Sequence, residues 1–174
     1  MLRSGDSAGI VADLWDGKVE IAFVGFKGDD PRLAFSKIWD DEMVLAVPKG
    51  HPWAKRKSVR LSELQNEKFI SREHGSGTLD SIRQLLDERH HPADELFKVS
   101  MELGSTEAVK EALMAGFGFS ILSRISIRHE LDEGTIVDVP IRGLKMERGF
   151  YEVVHSRRPL HPIARAFHAF LPAG

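Results

Sequence analysis

The sequence predicts an α/β fold with a largely parallel sheet. Short apolar runs of strand length alternate along the chain with segments whose apolar residues recur at helical spacing. At several places a glycine-rich turn joins the end of an apolar run to the start of an amphipathic segment. Strand–helix alternation of this kind is typical of sheets covered by helices.

The predicted strands are continuous apolar runs bounded by turn residues. They cover residues 19–24, 33–39, 43–47, 69–71, 97–101, 119–122, 136–139 and 149–154. The first run is almost wholly apolar, so we expect it to be buried on both faces. The second and third runs are predicted as two separate strands.

The predicted helices begin at capping residues and end at glycine or at a change of pattern. They cover residues 7–17, 78–90, 105–115, 125–131 and 162–171. Ser7 and Ser105 are the expected N-caps of the first and third helices, and Ser62 the cap of a short helical turn. Gly17 is the expected stop after the first helix.

Bulk composition excludes several classes of protein. The chain has 174 residues, enough for one domain or two small lobes. It has 24 basic and 26 acidic residues, which argues against a nucleic-acid-binding module by itself. It has no cysteine, no apolar run long enough to span a bilayer and no signal-peptide apolar region. These features predict a cytoplasmic protein.

The turn Gly75-Ser76-Gly77-Thr78 is the strongest candidate ligand site. It follows a short strand and opens a helix, so backbone N–H groups and the positive end of a helix dipole point to one place. It lacks the Lys-Ser/Thr of a P-loop and the third glycine of a dinucleotide fingerprint. The sequence therefore predicts a site for a small anion or polar molecule, with an ordinary strand–helix turn as the alternative.

Two further helix starts carry hydroxyl residues. Ser105 and Thr106 follow the strand at 97–101, and Ser7 opens the first helix. These side chains can contact a ligand in the crevice at the strand ends, or simply cap their helices. Both roles are open for each residue.

The sequence predicts no metal site, cofactor or catalytic centre. The eight histidines show no metal-ligand spacing, and the adjacent pair at 90–91 would point in different directions. A nucleophile elbow with Ser, His and Asp in order is not recognisable. We expect surface histidines and a protein that is not an enzyme.

An ordered set of segments resembles the effector-binding (substrate-binding-like) domain of LysR-type transcriptional regulators. Each segment is a soft match alone, but together they cover nearly the whole chain in order. They are residues 16–22, 41–54 (Asp-Glu-Met-Val-Leu-Ala-Val-Pro-Lys-Gly-His-Pro-Trp-Ala), 61–64, 71–78, 103–110, 115–119 with 122–124, and 162–171.

The resemblance implies two Rossmann-like lobes of the periplasmic type II binding-protein fold, joined by two crossing strands. Lobe I would be residues 1–40 and 149–174, and lobe II residues 41–148. A small-molecule effector would bind in the cleft between them. The implied contacts are Ser7, Ser76, Gly77, Thr78, Ser105 and Thr106, with Ile38 and Phe150 as apolar or hinge lining.

The departures from the family pattern are also informative. Gly25 stands where some members that respond to aromatic acids carry arginine, which weakens that effector class. The family's N-terminal winged helix-turn-helix, its linker helix and the first strand and helix of lobe I have no counterpart here. The resemblance therefore implies a truncated effector domain, contacting DNA only through that absent domain. The intact regulator would be a homodimer or tetramer.

Two other kinds of protein share the implied fold. A stand-alone solute-binding protein would need a signal peptide, which the sequence does not show. An enzyme such as a dehydratase would need convergent acid–base or nucleophilic residues, which we do not find.

Overall fold

The computed structural model describes residues 2–87 and 89–171. Six helices and seven strands alternate along this part of the chain. In chain order they are α1 (Ser7–Trp15), β1 (Ile21–Val24), β2 (Leu33–Pro48), β3 (Lys68–Arg72), α2 (Gly77–Asp87), α3 (Ala93–Leu96), β4 (Lys98–Leu103), α4 (Thr106–Met114), β5 (Ser120–Ser123), α5 (Arg128–Glu133), β6 (Ile136–Asp138), β7 (Met146–His155) and α6 (Pro162–Phe170). Short 3₁₀ turns lie at Pro52–Lys55, Leu61–Asn66 and Ile125–Ile127.

The chain divides into two compact units. Unit 1 contains the described residues of Met1–Asp40, Gly75–Gly77 and Arg148–Gly174, and unit 2 those of Asp41–His74 and Thr78–Glu147. The boundaries at 40/41 and 147/148 fall inside β2 and β7, so both long strands run from one unit into the other. The three residues Gly75–Gly77 cluster with unit 1 although their sequence neighbours belong to unit 2.

Unit 1 is built on the antiparallel pair β1–β7. Residues Ile21–Val24 pair with Tyr151–Val154, and α1 packs beside them. A small apolar core lies between α1 and these strands; its buried members are Leu14, Ala22, Val24, Leu33 and Val153. This core fixes α1 relative to the strands and so fixes the position of its first residues.

Unit 2 has a sheet with an apolar cluster on each face. Alternate residues of β2 point to opposite sides. Met43, Leu45 and Val47 join one cluster, which includes Ile82 and Leu86 of α2. Val44 and Ala46 join the other, in which α4 supplies its apolar stripe: Val109, Ala112 and Leu113. Both faces of this part of β2 are therefore buried, which explains its continuous apolar sequence.

The expectation of a largely parallel sheet is wrong. Within unit 2, β3 and β4 are parallel, but β2 pairs antiparallel with both β5 and β6. In unit 1 the β1–β7 pair is also antiparallel. Alternation of strands and helices predicts helix-covered sheets, but it does not fix the direction of strands that pair after long connections.

The prediction of separate strands at 33–39 and 43–47 is also wrong, because β2 is one strand of 16 residues. Asp41 is buried in the middle of it, and its Oδ1 accepts a hydrogen bond of 2.9 Å from the Ser123 hydroxyl. A buried carboxylate with a polar partner is tolerated inside a strand. The polar residues therefore interrupt the apolar pattern without interrupting the strand.

Several local expectations also change. Asp6, not Ser7, caps α1, because its Oδ1 accepts a 2.8 Å hydrogen bond from the Gly9 N–H and its charge suits a helix N-terminus. The turn at Leu61–Asn66 begins after Arg60 rather than at Ser62. Strand β1 is not buried on both faces, since Phe23 is 40% exposed. Gly17 (φ +71°) does follow α1, as predicted.

Candidate functional site

The start of α1 contacts the glycine-rich turn directly. The Ala8 N–H donates a hydrogen bond of 3.3 Å to the Gly75 carbonyl oxygen. A β-carbon built on Gly75 would lie 3.0 Å from Asp6 Oδ1, and the backbone there has φ +87°. Only glycine fits this conformation and this contact, so the turn is shaped to lie against the first residues of α1.

Ser7 and Gly77 form the closest point of this contact. A β-carbon on Gly77 would lie 2.5 Å from Ser7 Oγ and 3.6 Å from the backbone nitrogen of Gly25. Three separate segments therefore meet here with no side chain from residue 77 between them. Ser76, between the two glycines, is buried with 2% of its surface exposed.

A guanidinium group reaches the same neighbourhood from β7. A β-carbon on Gly25 would lie 2.8 Å from Arg148 Nη1 and 3.2 Å from Arg148 Cζ. The Arg148 side chain also lies over the Phe150 ring, with Cζ 4.7 Å from the ring centroid. Phe150 packs in turn against Trp39, with ring centroids 5.3 Å apart.

In unit 2, Arg72 and Thr106 meet at the carboxyl ends of two parallel strands. Arg72 ends β3, and Thr106 opens α4 shortly after β4. Arg72 Nη1 donates to Thr106 Oγ1 at 2.8 Å, while its Nε and Nη2 donate to the two Glu73 carboxylate oxygens at 2.8 and 2.7 Å. The Arg72 guanidinium holds the pKa of Glu73 below its ordinary value. Ser105 caps α4, accepting 3.1 Å from the Ala108 N–H.

The predicted site residues fall in both units. Unit 1 brings Ser7 and Gly77 together next to Ser76, and it also holds Ile38, which is buried in β2, and Phe150, which is half-buried in β7. Unit 2 holds Thr78 in the first turn of α2, with Ser105 and Thr106 at the start of α4. The ligand contacts themselves stay predictions.

Sequence reasoning missed three charged residues of these clusters: Asp6, Arg72 and Arg148. A signal existed for Arg72, because a charged residue at the carboxyl end of a parallel strand is well placed for ligand contact. The role of Asp6 was visible as an acidic residue before an apolar stripe. Arg148 gave no local signal, since its contact with Gly25 is made across 123 positions of sequence.

Metal-binding clusters and membrane-spanning helices are both absent from the described residues. Within residues 2–87 and 89–171, we find no group of three or more histidine and acidic side chains arranged to hold a metal ion. None of the described helices is long and apolar enough to cross a membrane.

The elements define an α/β fold of two compact units, in which two long strands contribute residues to both units. The whole chain, residues 1–174, matches the LysR substrate binding domain. The protein therefore belongs to the LysR substrate-binding domain family, and its fold is the type II periplasmic-binding-like fold of LysR effector-binding domains.

Among similar curated proteins are two HTH-type transcriptional regulators. An uncharacterized HTH-type transcriptional regulator of Methanocaldococcus jannaschii is 35% identical over 91% of this chain and 53% of its own length. The HTH-type transcriptional regulator CbbR of Sinorhizobium medicae is 30% identical over 96% of this chain and 52% of its own length. The chain thus spans about half the length of the curated relatives it matches.

Solved structures of the same fold include two with bound ligands. The CcmR regulatory domain of Synechocystis PCC6803, in complex with 2-PG, has a TM-score of 0.82 and 24% identity, covering 95% of this chain and 77% of that one. The effector-binding domain of QuiR, in complex with shikimate, has a TM-score of 0.82 and 23% identity, covering 95% and 76%. At these identities the likeness establishes the fold.

Proposed function

We propose that this chain is the effector-sensing part of a LysR-type DNA-binding transcriptional regulator and binds a small polar or anionic molecule. The observation that carries the proposal is the match of the whole chain, residues 1–174, to the LysR substrate binding domain. In unit 1 the hydroxyl of Ser7 lies 2.5 Å from the position of a β-carbon on Gly77, so a polar group packs directly on the glycine-rich turn. Thr78 and Thr106, both in unit 2, are the proposed effector contacts that the titration below tests.

The assignment of lobes is part of this proposal. Residues 1–40 and 149–174 would form lobe I, and residues 41–148 lobe II. Effector binding would favour whichever state of the regulator the effector contacts better, and so shift the regulator's equilibrium. No catalytic role is assigned to any residue, and we propose that the chain is not an enzyme.

The partners follow from the names of the relatives, which are HTH-type transcriptional regulators. We propose that DNA contact in the intact regulator is made by a winged helix-turn-helix domain outside this chain. The intact regulator would act in the cytoplasm as a homodimer or tetramer.

Calorimetric titration tests the proposal. The chain is titrated with a panel of organic acids, inorganic oxyanions and neutral polyols, and wild type is compared with Thr78→Val and Thr106→Val. We expect at least one panel member to bind with one-to-one stoichiometry, and both variants to bind it about tenfold more weakly through loss of one hydrogen bond each. Thr135→Val is the matched control, since this hydroxyl donates to the Glu130 carbonyl oxygen at 3.3 Å in the turn between α5 and β6.

Two outcomes of this titration would contradict the proposal, one for the site residues and one for effector sensing itself. Affinity that is unchanged in both hydroxyl variants removes Thr78 and Thr106 from the site. A panel with no binding member contradicts effector sensing by this chain.

A further inference from the structure

An apolar groove of about 600 Å³ lies along β1 in unit 1. Residues 18–23, which include most of β1, line it together with residues 2–5 and Ile10 from the start of the chain. Ile163 and Phe167 of α6 line it as well. A volume of this size is typical of a binding site.

The groove lies between two layers of helix, because α1 and α6 cover opposite faces of β1. Ala22 and Val24 pack with Leu14 of α1 in the core of unit 1. Phe23, between them in sequence, points to the other face and packs against Phe167 of α6, with ring centroids 6.0 Å apart. A segment placed along β1 would therefore meet α1 on one side and α6 on the other.

The apolar face of α6 is held in position but little covered. None of the residues of α6 is buried; Ile163 is 76% and Phe167 47% exposed, although they lie one turn apart on one face. His168 Nδ1 lies 2.8 Å from both carboxylate oxygens of the buried Glu152, which anchors α6 over β7. A fixed apolar face that remains exposed is typical of an interaction surface.

Strand β1 is the edge of its sheet within the described residues, where its strand partner is β7. An edge strand presents a row of backbone N–H and C=O groups to which a further strand can be added. A strand added here would have both faces covered, one by α1 and one by α6. Such strands carry near-continuous apolar sequences rather than alternating ones.

The charges in the groove do not favour an anionic small molecule. Its two cationic side chains are paired with carboxylates: Arg3 Nη1 lies 2.8 Å from Asp13, and Lys18 Nζ lies 2.7 Å from Asp16. Glu20, also in the lining, adds a carboxylate that accepts the His161 N–H. An uncharged apolar segment suits this lining better than a carboxylate or phosphate.

Shape and chain length also bear on the occupant. Two copies of the groove facing each other across a two-fold axis are both concave, so neither fills the other. The regulatory domain of CcmR and the effector-binding domain of QuiR share the fold, and this chain covers only 77% and 76% of them. Each of those domains therefore contains further residues that this chain does not match.

We propose that this groove is a β-strand docking site: an extended, uncharged apolar segment of polypeptide adds a strand beside β1 and is enclosed between α1 and α6. Backbone hydrogen bonds to the edge of β1 supply the pairing, and Ile163 and Phe167 supply the apolar contact. At about 3.3 Å per residue, the four residues of β1 match about four residues of the added strand. The surface is independent of the proposed effector contacts.

The test titrates the 174-residue chain with a capped peptide that carries consecutive valine and isoleucine residues between terminal lysines. A second peptide has the same side chains, but its central amides are N-methylated and cannot donate. The variant is Ile163→Asp, at an exposed position of the groove, and the control is Ile125→Asp, at an exposed position of unit 2. Calorimetry measures affinity, and hydrogen–deuterium exchange measures the protection of the β1 amides.

We expect the first peptide to bind with one-to-one stoichiometry and to slow exchange of the amides of β1. The N-methylated peptide should bind at least about tenfold more weakly, because it cannot donate hydrogen bonds to the strand edge. Ile163→Asp should weaken binding of the first peptide by at least about tenfold, because the peptide would bury the new carboxylate beside apolar side chains. Ile125→Asp should bind it as wild type does.

Four results overturn the proposal. Absence of peptide binding at millimolar concentration removes the docking site, and equal binding of the two peptides shows an apolar cavity without strand pairing. Unchanged affinity in Ile163→Asp places the peptide elsewhere. A dimer of the chain in sedimentation velocity that Ile163→Asp dissociates identifies a second copy as the occupant. None of these results depends on the effector titration, so the two proposals fail separately.

Discussion

Arg72 donates a hydrogen bond of 2.8 Å to the Thr106 hydroxyl oxygen, although 34 positions of sequence separate them. An arginine cannot accept a hydrogen bond, so the Thr106 hydroxyl hydrogen must point elsewhere. Arg72 therefore leaves Thr106 available as a donor. A donor at this place favours ligand oxygens, which suits the small polar or anionic effector proposed above.

The first prediction concerns Arg72→Met. We expect effector affinity to fall about tenfold, because Thr106 loses the partner that orients its hydroxyl. The pKa of Glu73 should rise toward its ordinary value, since the Arg72 side chain is the main cause of its lowered pKa. Calorimetry measures the first effect and an NMR titration of the Glu73 carboxyl the second.

The Arg72→Met result also has a defined pH dependence. The folded-state pKa of Glu73 is lowered, so its pairing with Arg72 stabilises the protein above the unfolded pKa, and this contribution disappears as pH falls through the folded pKa. The stability difference between wild type and Arg72→Met should therefore shrink in acid. Arg142→Met is the exposed control, and a difference that grows in acid would contradict this assignment.

The second prediction concerns Gly77→Ala. Its β-carbon would lie 2.5 Å from Ser7 Oγ, so the serine side chain or the turn must move. We expect effector binding to weaken at least tenfold and the free energy of unfolding to fall by about 1–3 kcal/mol, as for overpacking elsewhere. Calorimetry and urea unfolding measure the two effects.

Gly50→Ala provides the matched control for that variant. A β-carbon on Gly50 meets nothing within 4 Å, so both affinity and stability should stay close to wild type. Wild-type affinity in Gly77→Ala would remove the contact between Ser7 and Gly77 from the ligand site.

The third prediction concerns the ion pair between α4 and α5. Lys110 Nζ lies 2.7 Å from Glu130 Oε1, with side chains only 12% and 10% exposed. The bond from Lys110 lowers the pKa of Glu130 below its ordinary value of 4.5. Lys110→Met leaves this carboxylate buried without its cation, and we expect a loss of about 1–3 kcal/mol near neutral pH.

The pH dependence of that loss follows from the direction of the Glu130 shift. With a lowered folded-state pKa, Glu130 stabilises the protein above its unfolded pKa, and the contribution is lost as pH falls through the folded pKa. Urea unfolding of wild type and Lys110→Met at neutral pH and below pH 4.5 should show the difference narrowing in acid. Lys57→Met, at an exposed position, should differ little from wild type at either pH.

The fourth prediction compares two phenylalanines two positions apart. Phe119 is fully buried and packs against Phe69 and Trp53, with ring centroids 5.2 and 5.4 Å away. Phe119→Ala should destabilise the protein by about 3–5 kcal/mol. Phe117 is 51% exposed, so Phe117→Ala should cost much less. Equal losses of stability in the two variants, measured by thermal or urea unfolding, would show that Phe119 contributes no more to the core than the exposed Phe117.

Local sequence patterns were sufficient for most of the helices and strands. The stop at Gly17, the cap at Ser105 and the proline start of α6 depend on neighbouring residues only, so they could be predicted. The helix α3, four residues long, gave no periodic signal and was not predicted. The long β2 was predicted as two strands because the partner that satisfies Asp41 lies 82 positions away at Ser123.

The sequence by itself determined the α/β class, the family resemblance and the glycine-rich turn, because each depends on patterns of residues that are close together in the chain. Only the tertiary structure decided what stands beside that turn. The approaches of Ser7 to Gly77, of Arg148 to Gly25 and of Arg72 to Thr106 each join distant segments. They depend on strand direction, on register and on the space that a missing β-carbon leaves, and local spacing specifies none of these.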